Sequence, residues 1–363
     1  MLRYKEIKIA LSDILVKMSS GDRIPSRTRL CRQLDTSRAT LGKAIRELEA
    51  EGMIRSKSGS GTYVSGKFEG EVTVMENWCV IVPQTNRPIY SGIIQGVQEV
   101  AKEHGCNVII CSSDNDAEKQ ASFIRRLAVS VASCFILVPV IRSDIADNLR
   151  TYQMLQDSKL PFVFCNRSVE GIQAPVVTSN NFYGAYIAVK HLIRRGYRHI
   201  AYIAGSRYCS SIDRCQGYIS ALMEEGLEVD YRNIVFNDPR DNGDYGYTSM
   251  KTLLSSGHPI DAALCFNDMI SLDVCRAIRD MGLRVSDDIG VIGYDDIGDC
   301  VSHVPPLSSI SYKSFDIGRK AAEILWDMAH RRKLECELNY YLFQPSLVDR
   351  ESCLGKKSIP SET

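Results

Sequence analysis

An amphipathic segment near the N-terminus, residues 37–49, constrains the fold of this chain more than any other stretch. Its apolar residues recur at the spacing of one helix face, namely Leu41, Ala44, Ile45 and Leu48. Ser37 stands where an N-cap belongs, since its hydroxyl can accept a hydrogen bond from an N–H of the first turn. The segment therefore predicts a helix that buries one face and exposes the other.

The exposed face of this predicted helix begins with a basic, hydroxyl-rich turn. Arg38, Thr40 and Lys43 lie on it, and the phosphates of DNA attract such hydrogen-bond donors. A short helix is predicted upstream at 26–34, and strand-like runs between residues 53 and 64 flank a glycine- and serine-rich turn. Helix, turn, helix and ribbon together predict a winged helix-turn-helix domain. The alternative is an amphipathic helix that merely packs on a hairpin.

Four blocks of this segment, in order and spacing, resemble the DNA-binding domain of the GntR family. They read Pro25-Ser26, Ser37-Arg38-x-Thr40, Leu48-x-x-Glu51-Gly52-Met53-Ile54 and Gly59-x-Gly61-Thr62-Tyr63-Val64. The resemblance covers residues 1–66 and implies a DNA-binding α+β domain there, followed by a linker at 67–76. It implies these DNA-contacting residues: Arg27, Thr28, Ser37, Arg38, Thr40, Lys43, Ser60, Gly61 and Thr62.

Two positions depart from the family pattern. Thr28 stands where many relatives have a base-reading arginine, and Gly42 replaces another contacting arginine, so Arg27 and Lys43 are the candidate substitutes. The operator sequence therefore does not transfer from relatives. A glycine inside a helix costs about 1 kcal/mol relative to alanine, which indicates close approach of either DNA or a neighbouring helix at Gly42.

The charge of the chain is divided unevenly along its length. Over all 363 residues, 44 basic and 44 acidic side chains cancel. Residues 1–66 hold 13 Lys and Arg against 7 Asp and Glu, so the net charge of this segment is +6 and that of the remainder is −6. A basic domain joined to an acidic one indicates nucleic-acid contact confined to the N-terminus.

Thirteen cysteines raise the question of disulfides or a metal site. None forms a C-x-x-C pair, and the closest pairs have no histidines at ligand spacing, so we expect reduced structural thiols, no metal and no cofactor. The N-terminus is charged from Arg3 onward, which predicts no signal peptide. No apolar run approaches the roughly 18–20 residues of a membrane span. A cytoplasmic protein without a membrane partner is expected.

From residue 77 to 350 the sequence alternates between short apolar runs and amphipathic helical stretches. The strand-like runs are 79–83, 107–111, 134–139, 161–165, 199–204, 234–237, 262–266, 290–293 and 339–343. This alternation predicts an α/β fold with mostly parallel sheets that carry helices on both faces. Two such sheets leave a crevice at the carboxyl ends of their strands. Residues 351–363 are expected to form a C-terminal tail.

Three segments of this region resemble the lactose-repressor family, whose effector domain is similar to periplasmic sugar-binding proteins. The first is Ser179-Asn180-Asn181-x-x-Gly184-Ala185 with His191-Leu192-Ile193-x-x-Gly196-Tyr197-x-His199-Ile200-Ala201, and the second is Asp213-Arg214-x-x-Gly217-Tyr218. The third joins Phe266-Asn267-Asp268, Gly293-Tyr294-Asp295-Asp296 and Pro305-Pro306-Leu307-Ser308-Ser309-Ile310. They imply a two-lobed periplasmic-binding-protein-like core over 77–350. A GntR-type head on it resembles the arabinose-repressor type of transcription regulator.

Sugars are bound by groups that hydrogen-bond two adjacent hydroxyls at once, together with an aromatic face. Arg214 offers a five-donor fork and Asp295 offers two acceptor oxygens. Both match effector-contacting positions of the family, as Asn267 does, although a structural salt bridge across the cleft is the alternative for the first two. Further candidates for effector contact are Tyr90, Arg167, Phe182 and Phe266.

Several neighbouring residues admit two interpretations. Phe266 either stacks on the ligand, narrows the pocket or fills the core, and one of Asn180 and Asn181 is expected to cap the helix that they open. On an extended segment Asp295 and Asp296 point to opposite sides, so they are poorly placed as the acid and nucleophile of a glycosidase. Arg207 either meets a phosphate or stays solvated. His191 and His199 fit family packing positions better than metal sites.

Together these features predict a ligand-responsive bacterial transcription regulator. We expect it to repress carbohydrate-utilisation genes, to bind a palindromic operator as a homodimer, and to hold a sugar-like effector in the crevice. The competing function is a sugar-processing enzyme fused to a DNA-binding domain. The sequence shows no P-loop, no G-x-S-x-G motif and no metal-ligand pair. A transport-type binding protein is a third alternative, which the DNA-binding head argues against.

Overall fold

The computed structural model of the chain divides into two compact units, Met1–Glu76 and Asn77–Thr363. The residues that it describes are 3–16, 18, 21–50, 52–57, 60–65, 76–130, 132, 134–141, 145–158, 160–205, 209–237, 244–330 and 340–355. Most of the predicted linker at 67–76, the loop that contains Arg207, and residues 356–363 lie outside this set. Within it, no helix combines the length and apolar character needed to cross a membrane.

The N-terminal unit has the predicted helix-turn-helix and wing. Its elements are α1 (Arg3–Val16), α2 (Arg27–Gln33), α3 (Arg38–Ala50), β1 (Ile54–Lys57) and β2 (Gly61–Val64), and the two strands form an antiparallel hairpin. The α3 face predicted from spacing is at most 1% exposed and packs against Leu11, Leu15 and Leu30. The predicted N-cap is confirmed, because Ser37 Oγ accepts a hydrogen bond from the Thr40 N–H at 3.2 Å.

The first lobe of the second unit is a parallel sheet covered by helices. Its early elements are β3 (Asn77–Val82), α4 (Pro88–Glu103), β4 (Asn107–Ser112), α5 (Ala117–Ala128), β5 (Cys134–Leu137), α6 (Ile145–Ser158), β6 (Phe162–Cys165) and β7 (Val176–Ser179). The late elements α12 (Ser314–Ala329) and β13 (Tyr340–Phe343) return to this lobe, where α12 packs on α4. The strand order is β13-β7-β6-β5-β3-β4.

The second lobe repeats the same architecture. Its elements are α7 (Asn181–Arg194), β8 (Ile200–Ala204), α8 (Cys209–Glu224), the 3-10 helix η1 (Tyr231–Asn233), β9 (Ile234–Phe236), α9 (Tyr245–Ser255), β10 (Ala262–Cys265), α10 (Asp268–Asp280), β11 (Gly290–Asp295), α11 (Asp299–Ser302), β12 (Ser308–Ser311), β14 (Ser346–Val348) and the 3-10 helix η2 (Glu351–Cys353). Their strand order is β14-β12-β11-β10-β8-β9. Only β14 is antiparallel to its neighbour among these described strands. The α/β fold with parallel sheets is therefore confirmed.

The structure adds strands that the sequence pattern did not reveal: β7, β12 and β14. β12 reads Ser-Ser-Ile-Ser, and no apolar run marks it, yet Ser308 and Ser309 are fully buried. Their hydroxyls are satisfied instead, because Ser309 Oγ donates to Asp268 and Ser308 Oγ accepts from the Arg350 N–H. A buried polar strand is stable when every such group has a partner.

The tail expected from residue 351 is wrong for its first residues. Glu351–Cys353 forms η2, in which Ser352 and Cys353 are fully buried. Ser352 Oγ donates to the Val291 carbonyl at 2.6 Å and accepts from the Ser308 N–H at 2.8 Å. These bonds attach the segment to β11 and β12, so it belongs to the second lobe.

Candidate DNA-binding and effector-binding sites

Four of the predicted DNA-contacting residues meet where α2 approaches the start of α3. Arg38 Nη2 donates to Thr28 Oγ1 at 3.2 Å, and the hydroxyls of Ser37 and Thr40 lie 2.8 Å apart. They line one shallow groove on the surface of this unit together with Cys31, Arg32, Asp35 and Thr36. Three of the four residues are exposed, so the groove offers hydrogen-bond donors to solvent.

The wing places three further predicted residues on the β1–β2 hairpin. Ser60 Oγ bonds the Tyr63 hydroxyl at 2.7 Å, and Thr62 Oγ1 lies 3.2 Å from Ser56 Oγ. Gly61 has a φ of +128°, and a Cβ there would lie 2.6 Å from Arg23 Nε. The backbone conformation of Gly61 favours glycine, whereas the exposed side chain of Arg23 could move to make room for a Cβ. Arg23 lies beside the wing, a position that the sequence pattern did not suggest.

The remaining basic candidates are exposed on their helices. Arg27 begins α2, and Lys43 lies on the second turn of α3. A Cβ added at Gly42 would meet nothing within 4 Å among the described residues. Among the described residues of this unit, a neighbouring helix therefore does not explain the glycine, and close approach of DNA at Gly42 stays a prediction.

In the second unit, Arg214 of α8 is held between two aromatic rings. Its guanidinium carbon lies 3.4 Å from the ring centre of Tyr294 and 4.4 Å from that of Phe266. Its Nε donates to Asn181 Oδ1 at 2.9 Å, and its Nη1 donates to the Phe266 carbonyl. Stacked faces and directed hydrogen bonds fix the plane of the guanidinium. Arg214 is only 2% exposed in this conformation.

The two asparagines at the start of α7 have separate tasks. Asn180 is the N-cap, because its Oδ1 accepts from the Tyr183 N–H at 3.0 Å. Asn181 is buried, donates to the Ser179 carbonyl at 3.1 Å and accepts from Arg214. The prediction that one of the two caps the helix is confirmed, and the other orients Arg214.

Asp295 ends β11 and is partly buried near Arg214. Burial raises the pKa of Asp295 to about 8, although the charges of Arg214 and Arg87 lower it. Arg87 precedes α4 of the first lobe, so the electrostatic influence on Asp295 comes from both lobes. The sequence pattern did not single out Arg87.

The expectation that Asp295 and Asp296 lie on an extended segment is wrong. Their φ angles are +112° and +58°, so the chain turns at the end of β11. The turn is held at Asp296, whose N–H donates to Ser309 Oγ at 3.1 Å and whose carboxylate pairs with Arg350 Nη2 at 2.7 Å. Such backbone conformations cost of order 1–3 kcal/mol and persist only where the surroundings enforce them.

Asp268, in the first turn of helix α10, stabilises the chain reversal at Asp295 and Asp296 through buried hydrogen bonds. It is fully buried and accepts hydrogen bonds from Ser309 Oγ at 2.6 Å and from the Ile297 N–H at 3.0 Å. Burial raises the pKa of Asp268 to about 6, against the lowering effect of these bonds. Asn267 is the N-cap of α10, since its Oδ1 accepts from the Ile270 N–H.

On the first lobe, Tyr90 and Arg167 form a second group. Arg167 Nη2 donates to the Tyr90 hydroxyl at 3.4 Å, and its Nη1 donates to the Pro139 carbonyl at 3.2 Å. The preceding residue, Asn166, accepts from the hydroxyl of Tyr312 at 2.9 Å. Because Tyr312 also lies 6.4 Å from Tyr294, centre to centre, it connects this group to the surroundings of Arg214.

Phe182 differs from the other candidates. It is 41% exposed, and its ring stacks on that of Tyr186 one turn along α7, at 6.3 Å. The structure therefore brings together Arg214, Phe266 and Asp295, joins Tyr90 to Arg167, and leaves Phe182 on an exposed helix face. Tyr294 and Tyr312 are the supporting residues to which the sequence patterns gave no role, because their partners are distant in the chain.

Comparison with known protein families accounts for both units. Residues 3–64 match the family described as bacterial regulatory proteins, gntR family. Residues 189–353 match the periplasmic binding protein-like domain. The arabinose metabolism transcriptional repressor of Geobacillus stearothermophilus is 24% identical over 354 residues, which are 96% of this chain and 97% of that protein. The HTH-type transcriptional regulator GalR of Escherichia coli (strain K12) is 28% identical over 75% of this chain and 77% of its own.

Solved structures share the fold. The complex of the transcriptional regulator CelR with cellobiose covers 91% of this chain and 100% of its own, at a TM-score of 0.69 and 24% identity. The transcription regulator CcpA of Lactococcus lactis covers 77% and 99%, at a TM-score of 0.68 and 24% identity. The chain is therefore a transcription regulator in which a segment that matches the gntR family of bacterial regulatory proteins precedes a segment that matches the periplasmic binding protein-like domain.

Proposed function

We propose that this regulator is a repressor of carbohydrate-utilisation genes whose affinity for its operator is set by a sugar-like effector between the two lobes. In this proposal a homodimer in the cytoplasm binds a palindromic operator, with one N-terminal unit on each half-site. The effector shifts the population between two conformations, which requires that it bind one of them more tightly. The protein performs no catalysis on its effector.

The observation that carries the effector proposal is the setting of Arg214. A guanidinium has five N–H donors, and the bonds to Asn181 and Phe266 leave donors that sugar hydroxyls can accept from. Asp295 supplies carboxyl oxygens from the neighbouring strand end, and Phe266 and Tyr294 supply apolar ring surface. Because Arg214 is 2% exposed, the crevice has to open before an effector can reach it.

The relatives support the chemical class of the effector. One relative is named for arabinose metabolism, and the CelR structure contains cellobiose. Others are named as the purine repressor type, so purines belong in any screen beside sugars. The DNA-binding part of the proposal rests on the groove at Thr28, Ser37 and Arg38.

The first experiment is a thermal-shift screen of the full chain against pentoses, hexoses, deoxyhexoses, disaccharides, sugar phosphates and purines. A ligand at 100 times its dissociation constant stabilises the protein by about 2.7 kcal/mol. Operator DNA selected from a random or genomic pool then allows the ligand response to be measured by fluorescence anisotropy. A screen in which only purines stabilise the protein would refute the carbohydrate assignment.

Two variants separate the two sites. Arg38→Ala should lose specific operator binding while its effector-induced thermal shift is retained, with Arg46→Ala on the exposed face of the same helix as the matched control. Asp295→Asn should keep operator affinity and lose the effector response. Normal operator binding by Arg38→Ala would show that the groove at Arg38 is not the DNA-binding site. A normal effector response by Asp295→Asn would show that Asp295 does not take part in effector binding.

A further inference from the structure

Three side chains of the kinds that bind transition metals meet on the second lobe. His191 lies in the last turn of α7, Asp349 follows β14, and Cys353 ends η2. One ligand atom from each, a ring nitrogen, a carboxylate oxygen and a thiol sulfur, lies within 4.8 Å of the other two. Asp349 and Cys353 are four residues apart, but His191 precedes both by more than 150 positions, so the sequence contains no short motif that joins all three.

The separations fit a single ion between these atoms. His191 Nε2 lies 3.3 Å from Asp349 Oδ1, and Cys353 Sγ lies 3.9 Å from the same oxygen. Zinc binds nitrogen and oxygen at about 2.0–2.2 Å and sulfur at about 2.3 Å, so tetrahedral geometry places such ligand pairs about 3.4–3.6 Å apart. The cluster therefore needs only small side-chain movements to coordinate an ion.

The imidazole nitrogen faces the carboxylate. His191 Nε2 is buried and lies 3.3 Å from Asp349 Oδ1, which is longer than an ordinary N–H···O hydrogen bond. A cation between the two atoms would bind each of them at a shorter distance. The thiol of Cys353 is fully buried at the same place.

The carboxylate is already oriented for this role. Arg195 Nη2 donates to Asp349 Oδ2 at 2.7 Å, which leaves Oδ1 turned toward the imidazole and the thiol. Arg195 Nη1 also donates to the Leu354 carbonyl at 3.3 Å, next to Cys353. Residues around a metal site commonly hold its ligands in this way. The alternative is an ordinary ion-pair network in which Asp349 pairs with both Arg195 and His191 and no metal is bound.

We propose that His191, Asp349 and Cys353 form a three-ligand site for a zinc-class transition ion, with water as the fourth ligand. Nitrogen, oxygen and thiolate ligands together suit a borderline ion of this kind rather than calcium or magnesium. The ion fastens residues 349–353 to α7. Arg350 within that segment pairs with Asp296, and α7 begins at Asn181, so the ion stabilises both supports of the crevice residues.

The test uses the full chain after removal of metals with a chelator, titrated with Co²⁺ and then Zn²⁺. We expect one ion per chain, with a thiolate-to-cobalt charge-transfer absorption and a rise in melting temperature on zinc binding. His191→Gln, Asp349→Asn and Cys353→Ser should each weaken binding at least about tenfold, and Cys353→Ser should remove the charge-transfer band. Melting curves without metal show whether each variant is folded.

The matched controls are His258→Gln and the exposed Cys209→Ser, which should leave the affinity and the spectrum unchanged. The proposal fails if folded Asp349→Asn and His191→Gln bind the ion as the parent does. It also fails if the charge-transfer band survives Cys353→Ser, or if the parent chain binds no ion at one equivalent.

Discussion

Asp295 is the residue at which burial and charge compete most directly in this molecule. Burial raises the pKa of its carboxyl to about 8, against the attraction of Arg214 and Arg87. The folded-state pKa lies above the ordinary value of 3.8, so the folded chain holds a proton that the unfolded chain releases. The contribution of Asp295 to stability is therefore present below about pH 4 and is lost as the pH rises through about 8.

This charge state predicts a pH-dependent effector response. An ionised carboxylate accepts stronger hydrogen bonds from sugar hydroxyls than a neutral acid does. A group with a pKa of about 8 is about one-tenth ionised at pH 7, so the effector affinity should rise by up to about tenfold between pH 7 and pH 9. Calorimetric titrations of the parent and of Asp295→Asn measure this. An equal rise in the asparagine variant would mean that another group titrates.

At the same scale, the sequence predicted which residues occur near strand ends but not how they are held. Arg214 and Asp295, which the family resemblance singled out, lie near each other, and the ring of Phe266 lies against Arg214, although the binding roles of all three stay predictions. The stack on Tyr294 was not foreseen, because residues 80 positions apart are brought together only by the sheet. The cap at Ser37 was foreseen, and the cap of α7 was narrowed to Asn180 or Asn181, because a cap depends on a residue three positions away at most.

At the scale of elements, the packing of β11 against α10 is fixed by a glycine. A Cβ at Gly293 would lie 2.0 Å from Asp268 Oδ1 and 2.8 Å from Ser271 Oγ, and both residues are fully buried. Asp268 cannot move away without breaking its bonds to the Ile297 N–H and to Ser309 beside the Asp295–Asp296 turn, and Ser271 cannot move without losing its bond to the Asn267 carbonyl. The close approach of strand and helix therefore depends on the missing side chain.

Gly293→Ala should lower the free energy of unfolding by about 3 kcal/mol. Gly298→Ala is the matched control in the next loop, because its φ is −54° and a Cβ there meets nothing within 4 Å among the described residues. Its effect should stay within about 0.5 kcal/mol. Denaturant unfolding of both variants measures the difference. If Gly293→Ala and Gly298→Ala were equally stable, Asp268 could move away from the added methyl group without breaking its hydrogen bonds.

Elements with apolar periodicity were predicted well, and those without it were missed. The helix face of α3 and the strands β3, β5 and β8 are buried apolar runs that the sequence displays directly. β12 was missed because its serines are buried through hydrogen bonds rather than through hydrophobicity. The hydrogen-bond partners of these serines lie in η2 and α10, so they cannot be identified from the sequence around β12.

At the scale of the whole molecule, the uneven charge predicts that DNA binding depends on salt concentration and that binding of a neutral effector does not. The residues 1–66 carry +6 and the rest of the chain −6. The logarithm of the DNA affinity should fall linearly with the logarithm of salt concentration, with a slope of about −0.9 for each phosphate contacted. Lys43→Gln should make that slope shallower by about 0.9. The affinity for a neutral sugar, measured over the same salt range, should stay constant, and a parallel fall would indicate an anionic effector.

The path of the chain through the two lobes has a consequence for the gene. β7 leads into the second lobe, α12 returns to the first, and β14 enters the second again, so the last strands β13 and β14 are the edge strands of different sheets. Neither lobe is encoded by one uninterrupted stretch of codons. A premature stop before codon 340 would therefore strip an edge from both sheets at once, and a recombination event could exchange the DNA-binding segment intact but never a single lobe.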